Sequence, residues 1–78
     1  MNAAGRQAEW LETAVMMVCV ETGLEAEAIS QKAVHNAALK LRYIIDREGD
    51  ANGIRRTPAY MARLIVEDLT IENLVRQV

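Results

Sequence analysis

The sequence has few of the residues that staple or break a small fold. It holds one cysteine, one proline, four glycines, no phenylalanine and one histidine. A lone Cys19 rules out an internal disulfide. Cys19 and His35 together fall short of the four ligands of a closed metal site. Four glycines, none in a glycine-rich run, leave no phosphate-cradling loop. The longest apolar run is seven residues, Ala14 to Val20, far below the roughly 20 that a membrane helix needs. The first ten residues, MNAAGRQAEW, lack the basic-then-apolar layout of a secretion signal. With a single thiol, these features set the expectation of a cytoplasmic location.

What is present is aliphatic and charged. Of 78 residues, 51% are hydrophobic, which excludes a disordered chain. A chain of this length is near the lower limit for one independent core, so a second subunit is the expected staple. The net charge of −2 conceals an uneven distribution. Residues 1–28 carry Arg6 against Glu9, Glu12, Glu21, Glu25 and Glu27, a net of −4. Residues 29–63 carry seven cations against three anions, a net of +4, and residues 64–78 return to −2. Opposite signs packed within one bundle account for such a pattern, and a basic docking surface is the sharper alternative.

Periodicity predicts three helices, over about 6–21, 24–48 and 58–77, with a loop at 49–57. In the first, Trp10, Leu11, Ala14, Val15, Met17 and Val18 share a face, while Met16 and Val20 fall on the polar side with Glu9 and Thr13. A strand over Val15–Val20 is the weaker rival, for want of a second strand to pair with. Gly23 suits a helix end, and Thr22 with Glu25 reads as a capping box opening the second helix. That helix has an apolar stripe of Ala26, Ile29, Ala33, Val34, Ala37, Ala38, Leu41, Ile44 and Ile45, and a basic side with Lys32, His35, Leu39, Lys40, Arg42, Tyr43 and Arg47. Asn52-Gly53 marks a turn, and Thr57-Pro58 a helix start. The third helix shows two stripes. One has Tyr60, Met61, Leu64, Ile71, Leu74, Val75 and Val78; the other has Ala62, Ile65, Val66 and Leu69. Thr70 offers a break near Asp68–Thr70. The expected fold is all-α: a hairpin of the first two helices with the third packed across it, as a single helical domain.

No motif carries recognisable chemistry. Glu48, Asp50, Asn52 and Gly53 match the first ligand spacings of a calcium loop, but Ala59 stands where the bidentate glutamate belongs. Arg55 and Arg56 would also repel the ion. A Cys19–His35 pair lacks an orienting group and an oxyanion site. Ser30, the lone serine, has no nucleophile motif. The expectation is a protein with no enzymatic activity, no cofactor, no bound metal and no small-molecule substrate.

Surplus apolar residues point instead to association. Met16, Val20, Ala62, Ile65, Val66 and Leu69 are expected at a homodimer interface, because a lone three-helix bundle would leave one set wet. Arg55, Arg56, Tyr60 and Arg63, or Lys32, Arg42 and Tyr43 on the second helix, are the candidate contacts for a further partner. The leading expectation is a small helical homodimer that binds a protein and inhibits it by steric occlusion. Small motif-free inhibitors of phage and mobile elements, anti-defence proteins included, have this general character by class analogy. A nucleic-acid-binding regulator using the basic middle is the alternative. A small subunit of a larger complex is the third reading.

Overall fold

The computed structural model describes residues 3–50 and 52–72, and side chains from Glu9 onward. Three α-helices form, α1 Ala3–Thr22, α2 Gln31–Glu48 and α3 Pro58–Ile71, and no strand appears among the described residues.

The ends of α1 and α3 follow local chemistry. The Gly23 N–H donates to the Cys19 carbonyl at 2.8 Å with φ of +76°, a left-handed stop that a side chain would strain. The Thr57 hydroxyl accepts from the Tyr60 N–H at 3.2 Å, and Pro58 supplies the first turn. Asn52 and Gly53 both take positive φ in the loop between α2 and α3, and the Gly53 N–H donates to the Asp50 carbonyl.

The start of α2 differs from expectation. The Thr22 hydroxyl donates to Val18 O and accepts from the Leu24 N–H, so it never reaches Glu25 to open a helix. Residues 23–30 instead form a bridge with one 3-10 turn, Ala26–Ala28. Ile29 is extended and buried, and Ser30 caps α2 by accepting from the Ala33 N–H at 3.0 Å. The alanine and glutamate of the bridge have helix propensity, but burying Ile29 in the core overrides it.

The arrangement of helices also differs. α3 lies between α1 and α2 and packs on both, whereas α1 and α2 touch each other little, so there is no hairpin of the first two. Met61, Ala62, Leu64, Ile65, Asp68 and Leu69 are all buried, an arc of about 160° on the helix wheel. Met61 and Leu64 of one apolar stripe and Ala62, Ile65 and Leu69 of the other therefore form one core-facing surface, while Ile71, expected on the first stripe, is 71% exposed. Ala14, Val18, Ala33, Ala37 and Leu41 meet it from the flanks in a single cluster. The alanines at these positions leave room for the central helix. No break occurs at Asp68–Thr70, where the Thr70 hydroxyl donates back to the Val66 carbonyl at 2.9 Å within a continuous helix. The expected extension to Gln77, with Leu74, Val75 and Val78, lies outside the described residues.

Burial of α3 revises the expected dimer face. Ala62, Ile65 and Leu69 are at most 3% exposed within the single chain, and Val66 is half-buried against the same core. A central helix needs apolar residues on both sides, and that need absorbs what looked like a surplus.

Candidate functional site

Three of the seven cations between residues 29 and 63, Lys40, Arg55 and Arg56, are tied into the fold by ion pairs. Arg55 donates to the Gly49 carbonyl at 2.9 Å and pairs with Glu48 at 3.2 Å, its side chain largely covered. Arg56 Nε lies 2.8 Å from Asp50 Oδ2, and its carbonyl accepts the Trp10 indole N–H. These contacts tie the loop before α3 to the end of α2 and to α1. The sequence places Glu48 and Asp50 beside the arginines; the structure turns both into partners.

The other expected contact residues are scattered. Tyr60 is half-buried against the core, and Arg63 is exposed on the outer side of α3. Lys32 and Arg42 are exposed on α2. Tyr43 is exposed and pairs with Arg47, which donates to its hydroxyl with the guanidinium 5.4 Å from the ring centre. Lys40 turns inward to Asp68. The basic middle of the chain is thus split between loop staples, one core ion pair and separate surface cations.

Cys19 is half-buried beside the core, and His35 is exposed on α2. Among the described residues, no three His, Cys, Asp or Glu side chains are grouped to hold a metal ion. No helix among them is long and apolar enough to cross a membrane.

The distinctive surface is on α1. Ala14 and Val18 are fully buried, yet Met16 is 67% and Val20 is 87% exposed. Met17, expected on the core face, is also exposed. These three line a hollow of about 450 Å³ with Thr13 and Glu21. Met16 also borders a second hollow, over Leu11, Glu12, Val15 and Ala26. Leu11 and Val15 in turn form one wall of a third, whose other wall is Val34, His35 and Ala38 of α2. An apolar track therefore runs from Val20 across α1 into the cleft between α1 and α2. The cleft exists because α3, not α2, is the main neighbour of α1. Periodicity singled out Met16 and Val20; the contribution of Leu11, Val15 and Val34 depends on how far apart the outer helices stand.

No protein-family model, curated protein or solved structure matches this chain.

Proposed function

We propose that this protein is a non-enzymatic interaction module that binds a protein partner on the exposed face of α1 and acts by occluding the surface it covers. The observation that carries the reading is the exposure of Met16 and Val20 on a helix whose opposite side, at Ala14 and Val18, is sealed in the core. Contiguous exposed apolar surface of this kind marks interaction sites. Its floor is built on a helix, so the surface is preformed and little ordering entropy opposes binding. The arginine cluster is a weaker candidate, since Arg55 and Arg56 already have carboxylate partners. A nucleic-acid surface would rest on the scattered cations Lys32, Arg42 and Arg63, which do not form one cluster with Arg55 and Arg56. They support that reading less than the α1 face supports a protein partner.

Homodimerisation remains one way to cover the face, now through α1 rather than α3. Substituting Met16→Glu together with Val20→Glu tests the reading. The expected result is an unchanged circular dichroism spectrum and thermal midpoint, with loss of self-association in light scattering or of partner capture from host lysate. Unchanged mass and unchanged capture would refute the reading.

A further inference from the structure

The charge around the apolar track restricts what can cover it. Glu12 and Glu21 form part of its walls. Glu9 precedes Met16 on the same face, and Glu25 and Glu27 flank Ala26 at its edge. All five glutamates are exposed, and none takes part in the ion pairs found among the described residues. On α1, Glu12 and Glu21 stand on opposite sides of Met16, Met17 and Val20, whereas the α2 wall of the cleft carries no carboxylate.

The acidic rim on α1 opposes several occupants. Phosphates of nucleic acid and anionic lipid headgroups carry the same sign as the rim. A second copy would bring further glutamates and, between Glu9 and Thr22, no lysine or arginine to answer them. Like charges facing one another across an interface disfavour a pairing.

We infer that the α1 track receives a cationic amphipathic helix, with apolar side chains seated on Met16, Met17 and Val20 and lysines or arginines along both edges. The inference rests on the reading of the α1 face as a docking surface. The hollow of about 450 Å³ at Met16, Met17 and Val20 suits an apolar anchor of the incoming helix. Unbranched methionines adapt to the shape of the incoming chain. Glutamates on either side select a basic amphipathic segment over a neutral or acidic one.

Two synthetic helical peptides of about four turns test it. They share a leucine face and differ in carrying lysine or glutamate at the flanking positions. Binding to the full chain is read by fluorescence anisotropy at low salt and by the methionine methyl resonances. The lysine peptide is expected to bind at least about tenfold more tightly than the glutamate peptide, and to shift the signals of Met16 and Met17. Glu12→Lys with Glu21→Lys, checked for an unchanged melt, should invert the preference. Equal affinities, tighter binding of the glutamate peptide, or no binding of either would overturn the inference. So would undiminished binding of the lysine peptide to the Met16→Glu, Val20→Glu variant, because attraction would then be bulk charge alone. If light scattering instead shows a dimer that this variant dissolves, the face is a docking surface whose occupant is a second copy. The inference then falls while the broader reading stands.

Discussion

Lys40 Nζ lies 2.9 Å from Asp68 Oδ1 and joins α2 to the middle of the buried arc of α3. The Asp68 side chain is only 8% exposed, and its Oδ2 is buried with no hydrogen-bond partner among the described residues. A carboxylate in this position is tolerated because an ammonium group faces it, and Lys40, at 42% exposure, keeps part of its hydration.

Removing the cation alone should therefore cost more than removing the pair. Lys40→Met is expected to destabilise the fold by about 1–3 kcal/mol, the range for leaving a buried polar group unsatisfied. Adding Asp68→Leu should recover part of that loss, because an apolar side chain suits the surrounding core. Urea unfolding of the two single variants and the double variant measures the coupling. Additive losses would show that the pair is not coupled.

Trp10 donates its indole N–H to the Arg56 carbonyl at 2.8 Å, across 46 residues of chain. Trp10→Phe keeps an aromatic ring and removes the donor. The expected loss is about 0.5–1.5 kcal/mol, read as a lower urea midpoint by far-UV circular dichroism. Hydrogen exchange should quicken at the loop before α3, since this bond and the Arg56–Asp50 pair both anchor it.

Two hydroxyls separate the expected start of α2 from the observed one. Ser30→Ala should cost about 1 kcal/mol and raise amide exchange in the first turn of α2, at Ala33 above all. Thr22→Ala should leave that turn protected, because its hydroxyl serves Val18 and Leu24. The reverse pattern would return the cap to Thr22.

Core and surface can be told apart along α1 and α3. Ile65→Ala or Leu69→Ala should destabilise by about 2–5 kcal/mol, the range for truncating a fully buried aliphatic side chain. Met16→Glu and Val20→Glu should each stay within about 0.5 kcal/mol of the parent, as exposed substitutions do. Large losses at Met16 or Val20 would mean that both side chains are packed in the folded protein.

Local and periodic features were readable from the residues alone. Thr57-Pro58, Gly23 and Asn52-Gly53 act through their own backbone and nearest neighbours, so their roles hold in any tertiary setting. Met16 and Val20 could be assigned to the outside because a helix wheel needs only the chain's own geometry. Nearby opposite charge was enough to suggest the neutralising of Arg55 and Arg56 by Glu48 and Asp50. Tertiary packing settled the rest. It made α3 the middle helix, which turned Ala62, Ile65 and Leu69 from an expected interface into core. It chose Ser30 over Thr22 by drawing Ile29 inward, drew Lys40 to Asp68, and opened the cleft that lengthens the α1 surface. Each of these depends on which helix occupies the space between the other two. A periodic pattern tells which side of a helix is apolar; the neighbour that covers it is chosen by long-range packing.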